Sequence, residues 1–141
     1  ARVHLITDGD VAGVIHTAQP ETGIDIYLGQ GGAPEGVLAC AALKCVGGQF
    51  QGRLVFRNGD ERDRATRLGL TDFDRKYTLN DLVSSDAVFI ATGVTHGALL
   101  RGVQKETTAR GEVFLTTESL VMISKTHTVR KLSMRRPLVV G

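Results

Sequence analysis

The sequence predicts an α/β fold, a layered α/β sandwich in which helices cover a mixed β-sheet. Short apolar runs typical of buried strands alternate with helical segments along the first two thirds of the chain, and strand-like segments dominate the rest. No linker, repeat or low-complexity segment interrupts this order. We therefore expect residues 1–141 to form a single domain, which at this length can bury a real core.

Four segments are expected to share one sheet in a three-layer arrangement, with two helices packed on it. The strands are residues 2–7, 24–28, 54–57 and 88–91, and the helices are 11–18 and 34–46. Between them, residues 59–68 form a highly charged, exposed helix, and Thr78 to Asp81 form a capping box that starts a short helix ending near Ser85. Segments 112–117, 120–124 and 128–133 are further strands, the last two joined as a hairpin at Lys125-Thr126.

Composition excludes several classes of partner. A net charge of +2, with no basic run interleaved with aromatic residues, gives no indication of nucleic-acid binding. No apolar run approaches the ~20 residues that span a bilayer, and no signal peptide is visible, so we expect a cytoplasmic protein without a membrane partner. Cys40 and Cys45 lie five residues apart on one predicted helix and point in directions more than a right angle apart, which excludes a disulfide between them. We expect both to be small buried apolar residues in a reducing compartment.

A glycine-rich turn, Gly29 to Gly36, joins a strand-like run to a helix. Such a turn collects free backbone N–H groups at the helix start, which favours an anion there. Glu35 would repel a phosphate unless a cation lay between them, so the turn is consistent with a metal-plus-phosphate site. The alternative is purely structural: the glycines supply positive φ, Pro34 starts the helix, and Glu35 complements the helix dipole. The turn is neither a dinucleotide fingerprint nor a P-loop.

A second acidic motif, Asp8-Gly9-Asp10, follows the first predicted strand directly. Two aspartates across a glycine at a strand's C-terminal end lie where α/β proteins bind ligands. The structural alternative makes Asp10 a helix N-cap and Gly9 a turn residue, which explains one aspartate but not both. The four histidines are scattered and never at metal-ligand spacing; His96 alone lies near the suspected chemistry, and its role is left open.

Together these motifs resemble those of the class II fructose-1,6-bisphosphatases, bacterial metal-dependent sugar phosphatases related to the lithium-sensitive phosphatase superfamily. The matching segments are Ile6 to Ala12, Gly31 to Val37, Ala91 to Thr95 and Thr116 to Glu118. Their order and spacing match across nearly the whole chain. The resemblance implies hydrolysis of the 1-phosphate of fructose 1,6-bisphosphate with Mn²⁺ or Mg²⁺, within gluconeogenesis and glycerol metabolism. It also implies a homo-oligomer.

Carried over residue by residue, the resemblance assigns Asp8, Gly9, Asp10 and Gly32 to substrate binding and Glu35 to the metal, with no catalytic residue. Metal ions neutralise phosphate oxygens and lower the pKa of a bound water. Members of the family are longer, and their other metal-binding carboxylates lie upstream of the segment that corresponds to Ala1. The chain also begins on a strand-like run without methionine. We therefore expect it to be the C-terminal portion of the enzyme, inactive by itself.

Two rival functions stay open at this stage. Haloacid-dehalogenase-like phosphatases place a phosphorylated aspartate and an acid/base aspartate after a strand, as in Asp8-Gly9-Asp10-Val11. Ala12 departs from their pattern, and the paired downstream aspartates of that family are missing. A non-catalytic fragment that only binds a sugar phosphate is the other rival, because Glu35 alone does not make a site that activates water.

Overall fold

A four-stranded antiparallel sheet with a helix packed on one face organises the structure. The computed structural model describes residues 2–7 and 9–138. Along the chain the elements are α1 (Asp10–His16), a 3₁₀ turn (Pro20–Thr22), α2 (Ala33–Val46), β1 (Gln51–Gly52), α3 (Gly59–Arg67), β2 (Tyr77–Thr78), α4 (Leu79–Leu82), β3 (Val88–Thr92), β4 (Gln104–Thr107), β5 (Val113–Ile123) and β6 (Thr128–Pro137).

The long strand β5 is the centre of this sheet. β6 pairs with it along one edge, while β3 and β4 share the other edge, opposite its C-terminal and N-terminal halves. Phe89 lies opposite Met122, and Leu120 lies opposite Lys131. The turn between β5 and β6 spans residues 124–127, so the predicted hairpin is confirmed. β1 and β2 form a separate two-stranded sheet.

Helix α2 lies against the sheet and supplies much of the core. Its alanine- and leucine-rich sequence favours a helix, and it ends at Gly47, whose φ of 79° suits a residue without a Cβ. Ala42 and Cys45 join a buried cluster with the β3 and β5 side chains Phe89 and Met122. A second cluster, Val14, Ala39 and Leu43, packs α1 against α2.

The α/β class is confirmed, as are both long predicted helices, which begin at Asp10 and Ala33. The charged helix and the strand β3 are also present where they were predicted. The capping box is formed: Thr78 accepts a hydrogen bond from the backbone of Asp81, whose carboxylate accepts one from the backbone of Thr78. The helix that it starts ends at Leu82, three residues earlier than expected.

The prediction that four segments share one sheet is wrong. Residues 2–7 and 24–28 form no strand, and apolar side chains in them are widely exposed, with 87% of Leu5 and 85% of Leu28 accessible. Residues 54–57 also form no strand, and the pairing in this part of the chain is that of Gln51–Gly52 in the smaller sheet. All described pairings are antiparallel, where a mixed sheet was expected. Alternating apolar residues favour a strand, but a strand also needs a neighbour to complete its backbone hydrogen bonds.

Strand β4 was not predicted. Its sequence, Gln-Lys-Glu-Thr, has no apolar residue and every position is exposed, so the alternation that identifies a half-buried strand is missing. The partner β5 determines its conformation. Exposed, charged edge strands of this kind also discourage unwanted pairing with other chains.

Replacing Leu43 by alanine should lower the free energy of unfolding by about 2–5 kcal/mol, because Leu43 is fully buried between α1 and α2 and its loss leaves a cavity. Leu38→Ala on the same helix is the matched control, since more than half of Leu38 is exposed. It should cost less than about 1 kcal/mol. Urea unfolding followed by circular dichroism measures both values, and equal losses would contradict this packing.

Both cysteines are free and fully buried, as expected. Burial raises the pKa of the Cys40 thiol to about 11, and burial also raises the pKa of Cys45. Because the thiolate is the reactive form, the native chain at pH 8 should react with a disulfide reagent roughly 100-fold more slowly than the denatured chain. Rapid reaction of the native protein would show that α2 does not stay closed over these thiols.

Candidate metal and phosphate site

Two carboxylates pack onto adjacent glycines in the loop before α2. A Cβ atom added to Gly31 would lie 2.6 Å from Oδ2 of Asp10, and one added to Gly32 would meet the carboxylate of Glu35. The loop therefore brings together Asp10 from the start of α1 and Glu35 from the start of α2. Asp10, Gly32 and Glu35 are three of the five predicted site residues.

The glycines of this loop are not there to allow a left-handed backbone. Among the described residues, positive φ occurs at other glycines, and Gly32 has an extended conformation with φ −68°. The structural alternative is therefore wrong about the glycines, which do not supply positive φ, but Pro34 and Glu35 do lie in the first turn of α2 as it predicted. Any side chain at Gly31 or Gly32 would occupy the space that the Asp10 and Glu35 carboxylates now fill.

Tyr27 orients one of these carboxylates. Its hydroxyl donates a 2.8 Å hydrogen bond to Oδ1 of Asp10, and its ring lies where a side chain at Gly29 would have to go. The hydrogen bond to Asp10, then burial and then the negative charge of Asp10, raise the pKa of Tyr27. The sequence predicted Tyr27 only as part of a strand. The one feature that could have indicated its hydrogen-bonding role is its hydroxyl group, which stands between the apolar residues Ile26 and Leu28.

The Asp-Gly-Asp motif starts α1 in a way that differs from the N-cap alternative. Gly9 is the N-cap residue, with φ 83°, and Asp10 is the first residue of the helix. The Asp10 carboxylate accepts a hydrogen bond from Tyr27 and points towards the glycine loop. Asp8 lies outside the described residues, so its assignment stays a prediction.

Glu35 occupies the first turn of α2, where the helix dipole favours a negative charge. The first backbone N–H groups of a helix have no partner within it, and Gly32 caps α2 without a side-chain hydrogen bond. Residues 29–35 are exposed, so an anion or a cation can reach both the backbone and the two carboxylates from solvent.

A cavity of about 500 Å³ opens next to the motif but does not contain the carboxylates. It is lined by Ile6, Gly9 and His16 on one side and by parts of the segment 92–100 on the other. Asp10, Gly32 and Glu35 are not among its lining residues. Of the described site residues, Gly9 borders this cavity, whereas Asp10, Gly32 and Glu35 lie at the glycine loop, so this cavity is not the expected shared cleft.

Glu118 on β5 anchors the segment that borders this cavity. Its backbone carbonyl accepts a 3.0 Å hydrogen bond from the Gly93 N–H, and its carboxylate accepts one of 3.1 Å from the Arg101 N–H. Lys131 approaches the same carboxylate at 3.8 Å. Both ends of the segment are thereby tied to one residue, while His96 between them is exposed. This anchoring was not predicted from the sequence.

Comparison with known proteins identifies the family. Residues 1–136 match the model of a family described as bacterial fructose-1,6-bisphosphatase, glpX-encoded. The chain belongs to this bacterial fructose-1,6-bisphosphatase family. The resemblance noted from the motifs is thus confirmed, and nothing in the comparisons favours a haloacid-dehalogenase-like enzyme.

Two bisphosphatase relatives illustrate the match. The chain is 40% identical over 143 residues to the D-fructose 1,6-bisphosphatase class 2/sedoheptulose 1,7-bisphosphatase of Synechococcus elongatus, a match that covers 92% of this chain and 40% of the relative. It is 38% identical over 146 residues to the fructose-1,6-bisphosphatase class 2 of Haemophilus influenzae, covering 94% and 42%, respectively. The chain thus spans about two fifths of the length of these relatives.

Bisphosphatases of this family are metal-dependent, so the oxygen donors near the glycine loop are of interest. The exposed Glu35 carboxylate and the neighbouring Asp10 carboxylate are oxygen donors of the type that Mg²⁺ and Mn²⁺ prefer. Within residues 2–7 and 9–138, however, no group of three or more His, Cys, Asp or Glu side chains is placed to hold a metal. The oxygen donors of these two residues therefore fit a hard cation in type. In the same described ranges, no helix is long and apolar enough to cross a membrane.

Replacing Asp10 by asparagine should lower the pKa of Tyr27, because the hydrogen bond to a carboxylate and the negative charge that both oppose the phenolate are removed. Tyr77→Phe leaves Tyr27 as the single tyrosine, so phenolate absorbance reports on it directly. Because the folded-state pKa is raised, the Tyr27–Asp10 contact stabilises the fold below the ordinary tyrosine pKa of about 10, and this contribution is lost as pH rises through the folded-state value. Asp25→Asn is the control and should leave the titration unchanged. An unaltered Tyr27 titration in Asp10→Asn would contradict the hydrogen bond.

Proposed function

We propose that this chain supplies part of the active site of a metal-dependent phosphatase, which removes the 1-phosphate of fructose 1,6-bisphosphate to give fructose 6-phosphate and phosphate. The observation that supports it most directly is the packing of Asp10 and Glu35 onto the adjacent glycines Gly31 and Gly32 at the start of α2. The activity belongs to the longer family polypeptide, of which this chain spans about two fifths.

Each residue has a distinct part in this proposal. Asp10, with Asp8 and Gly9, accepts hydrogen bonds from sugar hydroxyls and fixes the orientation of the ring. The Tyr27 hydroxyl donates a hydrogen bond to Oδ1 of Asp10. This bond holds the carboxylate in one orientation, in which Oδ2 faces the loop. The backbone of Gly32, at the start of α2, contacts the substrate where unpaired N–H groups favour a phosphate.

Glu35 is the proposed metal ligand of this chain. When bound, Mn²⁺ or Mg²⁺ would neutralise phosphate oxygens and lower the pKa of a water molecule. The exposed position of Glu35 in the first turn of α2 lets it balance a cation beside a phosphate held at the same helix start. The remaining ligands come, in this proposal, from the part of the family polypeptide that this chain does not span.

We further propose a cytoplasmic homo-oligomer acting in gluconeogenesis and glycerol metabolism.

Glu35→Gln should separate metal binding from folding. We suggest a full-length chimera in which this chain replaces the matching segment of the Haemophilus influenzae relative. Glutamine is isosteric and tolerated in a first helical turn, so the melting temperature should stay unchanged. Turnover of fructose 1,6-bisphosphate should fall by about 100-fold or more and the Mn²⁺ requirement should rise, since a neutral amide cannot balance a divalent cation.

The matched control is Glu21→Gln, which changes an exposed carboxylate in the 3₁₀ turn and should alter neither the turnover nor the Mn²⁺ requirement.

Asp10→Asn should act mainly through KM, with metal affinity nearly unchanged. The isolated chain should hydrolyse nothing in excess Mn²⁺ but should bind the sugar phosphate weakly by calorimetry. Turnover by the isolated chain, or normal Mn²⁺ dependence in Glu35→Gln, would refute this assignment. Assays should include sedoheptulose 1,7-bisphosphate, which the name of the Synechococcus elongatus relative includes.

A further inference from the structure

The four-stranded sheet has one face packed by α2 and one face open to solvent. Residues directly opposite each other in neighbouring strands point to the same face. Phe89, Leu120 and Met122 are buried on the face that α2 covers. We call the opposite side, made by the residues that alternate with these along each strand and by their partners in β4 and β6, the outer face.

Large aliphatic side chains are exposed across the outer face. Val88 and Ile90 on β3 are 59% and 66% exposed, and Leu132 and Met134 on β6 are 50% and 55% exposed. The register places Ile90 opposite Val121, and Leu132 opposite Ser119 in the next outer-face row, so the exposed residues of β3 and β6 lie on the same face. Several large aliphatic side chains exposed on one sheet face indicate an interface.

The charges on the outer face all have one sign. The charged residues at its described strand positions are Lys105, Arg130 and Arg136, all basic. Within residues 2–7 and 9–138, none of these three has an acidic ion-pair partner. The basic residues on the other face of β6 differ, because Lys131 contacts Glu118 and Arg135 contacts Glu106 at 3.1 Å. The outer face therefore combines uncovered aliphatic side chains with uncompensated positive charge.

A second copy of the chain is a poor occupant for this surface. Two-fold pairing would place the same patch on both sides, and this patch offers no acid to meet Arg130 or Arg136. Basic residues facing each other across an interface are unfavourable. The relatives supply another candidate: the match covers 40% and 42% of their lengths, so more than half of each polypeptide lies outside it.

We propose that the outer face is a docking surface for the portion of the family polypeptide that this chain does not span. The docked layer presents an apolar surface flanked by acidic side chains, which complement Lys105, Arg130 and Arg136. Covering the open face completes the layered arrangement typical of α/β proteins, in which an apolar sheet face is buried against another element. This inference depends on family membership and not on the proposed catalytic roles, so either can fail without the other.

Cysteine accessibility tests the proposal, since both native cysteines are fully buried. Ile90→Cys and Met134→Cys are made in the isolated chain and in the full-length chimera described above. A maleimide-linked polyethylene glycol should label both variants readily in the isolated chain and roughly tenfold or more slowly in the folded chimera. Ser133→Cys is the matched control: it neighbours Met134 on β6 but points to the other face, and it should label equally in both proteins.

Labelling of Ile90→Cys and Met134→Cys at equal rates in the two proteins would overturn the proposal. Protection of these cysteines from labelling that depends on the concentration of the isolated chain would also overturn it, because the occupant would then be a second copy.

A second measurement does not depend on the chimera: the tagged chain is co-expressed with the unmatched portion of the Haemophilus influenzae relative. The two should co-elute, and Ile90→Lys should abolish co-elution with an unchanged melting temperature. Undiminished co-elution of Ile90→Lys would also overturn the proposal.

Discussion

The packing of α2 onto the sheet is the contact on which the rest of the structure depends. Ala42 and Cys45 enter the same core as Phe89 and Met122, and Leu43 on the same helix holds α1. Because a helix is rigid, burying its C-terminal half also fixes the direction of its N-terminus. The glycine loop and Glu35 are therefore positioned by apolar contacts elsewhere on α2. The exposed residues at the helix start are not needed to hold the helix in place.

At the helix start, close approach matters more than backbone freedom. Gly31 and Gly32 adopt conformations open to any residue, yet a side chain there would collide with Asp10 and Glu35. Two carboxylates gathered at one loop repel each other unless a cation or the helix dipoles compensate. Carboxylate oxygens are also the donors that a hard cation prefers, which supports the cation proposed for this position.

The two faces of the sheet differ in how their charges are treated. On the inner side, Lys131 lies near the Glu118 carboxylate and Arg135 forms an ion pair with Glu106. The Glu118 carboxylate also accepts the hydrogen bond that anchors the segment beside the cavity. Among the described residues, Arg130 and Arg136 on the outer side have no acidic ion-pair partner and lie beside exposed aliphatic residues. This difference in ion pairing supports the proposed docking of a partner with complementary charge on the outer face.

The sequence by itself determined the features that depend on neighbours along the chain. Helix α2, the capping box at Thr78 and the β5–β6 hairpin follow from local propensity, side-chain capping and turn composition, and the family follows from the order of its motifs. Only the tertiary structure decided which strand-like segments pair and why the loop needs glycines. Apolar alternation in 2–7 and 24–28 could not specify a pairing partner, and the polar β4 forms because β5 lies beside it. Strand pairing and close approach join residues far apart in sequence, so their outcome depends on which surfaces meet.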